Sequence, residues 1–106
     1  MKIRYTLLIL LMIPFMLLAQ KEDAMIYGKI IDNNNNVIEL VNIAVMGTSY
    51  GTTSNSRGQY ELALPADTTL DVVFSFIGYQ QETKKVNLKP GEKRKIDVSM
   101  QMTSTM

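Results

Sequence analysis

The stretch VMGTSYGTTSNSRGQYEL, Val45 to Leu62, sets Gly47, Gly51 and Gly58 among small hydroxyl and amide side chains. Such residues at close spacing could cradle a phosphate or hold a metal ion. A phosphate loop requires G-x-x-x-x-G-K-[ST], with the lysine reaching the phosphates and the loop opening a helix whose dipole meets the anion. Here three residues separate Gly47 from Gly51, Thr52 stands where the lysine belongs, and strand-like sequence follows. A calcium loop needs several oxygen ligands at close spacing, yet no carboxylate lies between Met46 and Gln59, and Thr53, Asn55 and Ser56 are neutral. The glycines are therefore read as corners, permitting backbone angles or approaches that a side chain would obstruct. Neither a metal nor a cofactor is expected.

Other chemistry fares no better. The chain has no His and no Cys, which removes His-dependent triads, cysteine nucleophiles and the usual zinc ligand sets. Paired carboxylates serve glycosidases, but Asp32, Glu39, Glu61, Asp67, Asp71, Glu82, Glu92 and Asp97 mostly fall in turns or at polar strand positions. They read as solvated surface charge, and the chain reads as non-enzymatic. Lys84, Lys85, Lys89, Lys93, Arg94 and Lys95 cluster late, with Glu82, Glu92 and Asp97 interspersed. A solvated hairpin whose charges guard a sheet edge is the default; a polyanion-binding patch is the rival. Tyr79, after Gly78, is expected to pack its ring and tie its hydroxyl to nearby backbone, with an exposed contact as the alternative.

The elements that would position these residues are strands. Tyr60, Leu62 and Leu64 share one face of YELAL; Leu70, Val72, Phe74 and Phe76 share one face of LDVVFSF. Ile96, Val98, Met100 and Met102 alternate with Asp97, Ser99 and Gln101. Two-residue alternation marks strands with one buried side. MIYGKIID and VNIAVM are more evenly apolar, hence more central, and their β-branched residues favour strands. Asn33–Asn36, Asn55–Gly58 and Pro65–Thr68 read as hairpin loops, Gly78 as a corner or bulge, and Lys89–Glu92 as a type II turn. Seven short strands at regular spacing predict an all-β, antiparallel Greek-key sandwich.

The first residues belong to a different category. Lys2 and Arg4 precede an uncharged run from Leu7 to Ala19, of about 13 residues, where a membrane-spanning helix needs roughly 20. Pro14 interrupts it. Residues 1–19 are read as a signal peptide, with cleavage between Ala19 and Gln20, and residues 20–106 as one β-sandwich domain. An uncleaved anchor is the rival, and with no cysteine a lipoprotein is excluded. Beyond Ala19 stand ten acidic and nine basic residues, a net charge that gives no global pull towards nucleic acid or an anionic membrane. Without cysteines, an exported domain must hold by packing and sheet hydrogen bonds alone.

GKIID (Gly28 to Asp32), the segment Val41 to Pro65 and LDVVFSFIGY (Leu70 to Tyr79) together resemble the carboxypeptidase-regulatory-like domain family. The resemblance covers about 24–102. It implies a prealbumin-like, Ig-like β-sandwich without catalytic activity, in which Gly28, Asp32, Gly47, Thr48, Gly51, Thr52, Gly58, Pro65, Gly78 and Tyr79 form the turn and fold motif. The particular form is similar to the domain at the N-terminus of SusC-type TonB-dependent outer-membrane receptors of Bacteroidetes, which lies in the periplasm ahead of a plug and barrel. Val37 and Glu39 stand where the family commonly has prolines, and Asn55 where it commonly has Asp. The resemblance implies export, with the periplasm, the outer membrane and the cell surface as the expected locations, and a partner in the envelope or in a downstream plug and barrel of the same system. The sequence ends at Met106, before any plug, so a fragment and a stand-alone member are both expected readings. The alternative is a module that binds carbohydrate by itself, which would want three exposed, coplanar aromatic rings.

Overall fold

The computed structural model describes residues 22–103; the expected leader and its cleavage point at Ala19–Gln20 lie outside the described residues. Alternation builds the first strand, β1 (Ala24–Asp32): Ala24, Ile26, Ile30 and Asp32 are buried, while Tyr27 and Lys29 face out. The others are β2 (Asn42–Val45), β3 (Gly51–Thr53), β4 (Gln59–Leu64), β5 (Thr69–Ser75), β6 (Glu82–Asn87), β7 (Lys93–Lys95) and β8 (Val98–Met100). No helix occurs among the described residues.

Two sheets face each other. In one, β1 lies between β4 and the pair β7 and β8; in the other the order is β3-β2-β5-β6. The expectation that MIYGKIID and VNIAVM are central holds for β1 and β2. The chain changes sheets between β1 and β2, β3 and β4, β4 and β5, and β6 and β7, which brings β5 back beside β2 in Greek-key fashion. Asn55–Gly58 and Pro65–Thr68 are therefore turns between sheets, neither of them the hairpin loop expected. The basic strands β6 and β7 likewise lie in different sheets and form no hairpin. Gly78 is neither bulge nor strand: β5 stops at Ser75, and Tyr79 N donates to Phe76 O (3.1 Å) across a turn with Gly78 at φ 87°. The type II turn at Lys89–Glu92 is present, with Gly91 at φ 75° and Glu92 N donating to Lys89 O at 3.0 Å.

The sandwich is not wholly antiparallel. β1 pairs with β4 antiparallel but with β7 and β8 parallel. β7 and β8 keep a single register along β1, since Met25 faces Lys93 and Ile30 faces Val98. They are one strand interrupted at Ile96 and Asp97, which reconciles eight observed segments with seven expected strands.

Ile26, Ile30, Ile43, Leu64, Val72, Phe74, Val98 and Met100 fill the space between the sheets. Tyr60 meets Phe74 edge to face, with centroids 5.4 Å apart, a favoured aromatic geometry. Every buried side-chain polar atom among the described residues has a hydrogen-bond partner. Among the described residues the buried side chains form one continuous apolar cluster. Met102, expected inward, is 50% exposed, because the ladder ends at Met100 and Met102 reaches only an isolated bridge to Tyr79.

Candidate functional site

The motif residues do not converge on one point. Asp32, Gly78 and Tyr79 meet at one end of the sandwich. Gly47, Thr48 and Pro65 sit at the other. Gly28 and Thr52 border a groove on the flank, Gly51 opens β3, and Gly58 lies buried in the turn before β4.

At the first end, Asp32 closes β1 facing inward and is 5% exposed. Its Oδ1 accepts the N–H groups of Asn34 (2.8 Å) and Asn36 (3.0 Å), and Asn35 supports the loop at φ 63°. The expectation of a solvated carboxylate is corrected here: an inward position at a strand end buries the group, and the Asn33–Asn36 loop supplies donors in place of water. Oδ2 accepts a longer bond from the Tyr79 hydroxyl, 3.4 Å. Tyr79 is half-buried, with its ring against Phe76 at 6.0 Å. Its ring packs as expected, but its hydroxyl reaches a carboxylate rather than backbone. Burial first, then the Asp32 charge and hydrogen bond, push its phenol above the ordinary value.

This end also carries exposed apolar side chains. Ile77, at the tip of the turn after β5, is 89% exposed; Leu40, with φ 64°, is 61% exposed, and Val37 and Met102 are exposed as well. Beneath Leu40 the loop is fixed. Ser54 Oγ, buried, accepts Val41 N (2.9 Å) and donates to Ile38 O (2.8 Å). A left-handed Leu held on such a frame presents its side chain outward.

On the flank, a groove of about 780 Å³ is lined by Tyr27, Lys29, Thr52, Asn55, Glu61 and Asp97, among others. Its floor is built around Gly28. A Cβ there would collide with the Ile96 carbonyl, so only glycine lets the interrupted strand cross this close. Tyr60 Oη donates to Ile96 O (2.6 Å), Ile96 N donates to Tyr27 O (2.8 Å), and Lys29 N donates to Asp97 Oδ1 (2.9 Å). A side-chain carboxylate thus takes the ladder position a backbone carbonyl would hold. Burial, with the Asp97 charge second, raises the Tyr60 phenol well above its ordinary range. Among exposed aromatics, Tyr27 borders the groove and Tyr50 does not, and neither belongs to an aromatic pair.

No group of three His, Cys, Asp or Glu residues placed to hold a metal occurs among the described residues. The turn at Asn55 is closed by its own amide: Oδ1 accepts Arg57 N (2.9 Å) and Gln59 N (3.0 Å). The late basic residues are partly neutralised: Lys85 by Asp71 (3.9 Å), Arg94 by Glu92 (2.8 Å) and Lys95 by Asp97 (4.0 Å). Glu92 is held below the ordinary carboxylate range by the Lys89 N–H, then by Arg94. Sequence reasoning missed Ser54, Asp97 and Ile77. Only Ile77 left a signal, as an aliphatic residue that breaks the alternation directly before Gly78.

A family model described as CarboxypepD_reg-like domain matches residues 26–106. No curated protein matches. Among solved structures, a cohesin–X-dockerin complex from Acetivibrio cellulolyticus matches at 14% identity and TM-score 0.58, over 73% of this chain and 56% of that one. The Bacillus anthracis TIE protein matches at 16% and 0.61, over 77% and 17%. Wild-type catechol 1,2-dioxygenase of Acinetobacter radioresistens matches at 13% and 0.61, over 81% and 54%. The chain thus spans about half the length or less of these structures, and at such identities the likeness concerns the fold alone.

Proposed function

We propose that this chain, which belongs to the CarboxypepD_reg-like domain family, is a non-enzymatic interaction module of the cell envelope. In this reading it is exported and acts as the leading periplasmic domain of a TonB-dependent outer-membrane uptake system. The observation that carries the reading is Ile77, an aliphatic side chain 89% exposed on a hydrogen-bonded turn. Met102, which bridges Tyr79 in the same turn, is also exposed. Apolar side chains held outward on rigid turns suit a protein contact, where a few anchors carry most of the binding energy. The resemblance in Gly28–Asp32, Val41–Pro65 and Leu70–Tyr79 supplies the TonB-dependent context.

The test is affinity capture from an envelope extract with residues 20–106 as bait. Recovery of a plug-and-barrel receptor, reduced at least about tenfold by Ile77→Asp, is the expected result. Equal recovery with both baits, or recovery of no outer-membrane receptor, contradicts the proposal. A second reading, glycan binding, rests on the polar groove beside Tyr27. It requires that a glycan array give signal and that Tyr27→Ala remove it.

A further inference from the structure

Among the described residues four edges bound the two sheets, and three are guarded against pairing. β3 has only three residues; β6 carries Glu82, Lys84 and Lys85; β7 reads Lys-Arg-Lys and its ladder is interrupted before β8. Short length, charge and irregularity all discourage strand addition. β4, QYELAL, is six residues long with Glu61 its single charge.

The ladder fixes which β4 groups are free. Ile30 N donates to Gly58 O at 2.8 Å, in line with the β1–β4 register. By alternation, Tyr60, Leu62 and Leu64 exchange hydrogen bonds with β1, while Gln59, Glu61 and Ala63 turn theirs to the open side. Gln59 is already engaged by Asn55, whose N donates to Gln59 O (2.9 Å) and whose Oδ1 accepts Gln59 N (3.0 Å). Glu61 and Ala63 are exposed, and their backbone groups have no such partner among the described residues. Pro65, next beyond Leu64, has no N–H to offer.

We propose that a second copy of this chain pairs antiparallel along this edge, with Glu61 opposite Ala63 of the second copy and Leu62 on the twofold axis. The free groups then match one for one: each Glu61 exchanges N–H and C=O with the facing Ala63, and symmetry repeats the exchange. Gln59, already satisfied, falls opposite Pro65. Alternative registers fit worse. Glu61 opposite Glu61 sets like charges together and puts Ala63 against the engaged Gln59; Ala63 opposite Ala63 puts Glu61 against Pro65, which cannot donate. The contact is isologous and short, so the dimer is weak, with Kd on the order of 0.1–1 mM.

The pairing needs no envelope partner, so its failure leaves the proposed function standing. The experiment is sedimentation and amide-exchange NMR on residues 20–106, from about 10 μM to about 1 mM. The expected result is a monomer–dimer equilibrium in which Glu61 and Ala63 amides gain protection with concentration. Ala63→Lys, facing Glu61, tightens the dimer and Ala63→Glu loosens it, each by about tenfold over the two symmetric pairs. Far-UV circular dichroism confirms that both variants fold; if either does not, the wild-type protection pattern decides. A monomer throughout the range, a dimer indifferent to charge at position 63, protection at another edge, or pairing only with unrelated extended peptides overturns the proposal.

Discussion

A carboxylate that loses its water needs donors in fixed places, and Asp32 has them in Asn34 and Asn36. Removing it leaves two N–H groups short of a partner. Asp32→Ala is expected to lower stability by about 2 kcal/mol in urea unfolding, and Asp32→Asn by less, since an amide oxygen still accepts. Gly28 is a sterically determined residue: Gly28→Ala drives a methyl into the Ile96 carbonyl and is expected to cost about 2–3 kcal/mol. Tyr60 adds a pH dependence with a definite sign. Its folded phenol ionises above the unfolded one, so its stabilisation is whole below about pH 10 and is lost as pH rises through the folded pKa. Alkaline unfolding monitored by near-UV absorbance should show this slope, and Tyr60→Phe should reduce it. Unchanged slopes in the two proteins would remove Tyr60 from the account.

At the scale of the element, the final strand completes the sheet containing β1. β8 covers Ile30 to Asp32 in parallel pairing and buries Val98 and Met100. Ending the chain after Asp97 strips both side chains from the core. At about 2–5 kcal/mol for each large apolar loss, against about 5–15 in total, the shortened chain should be unfolded. A dispersed NMR spectrum from it would contradict this. The same elements show what alternation reveals. Tyr60, Leu62 and Leu64 announce β4, and Val98 and Met100 announce β8, because period-two burial is written directly into side-chain type. β3, Gly-Thr-Thr, has no apolar period, and in β6 only Val86 is buried; guarded edge strands leave little trace in hydrophobicity. Strand direction leaves none, so the parallel pairing of β1 with β7 and β8 was not legible.

For the whole molecule, the two-layer architecture and the absence of His and Cys were readable from sequence, while the location of a functional surface was not. Gly47, Gly58, Gly78 and Tyr79 point to turns, and turns are where the fold is fixed. Contact surfaces depend on what remains exposed once the turns are set, and this emerges only when Phe76 packs against Tyr79 and leaves Ile77 in solvent. The central claim is that this end of the sandwich meets another envelope protein. The most direct measurement is photo-crosslinking in cells, with a photoreactive residue at position 77 and a control at position 83 on β6. The account predicts a discrete product with an outer-membrane receptor from position 77 and none from position 83. Equal labelling from both positions, or no product from position 77, would contradict it.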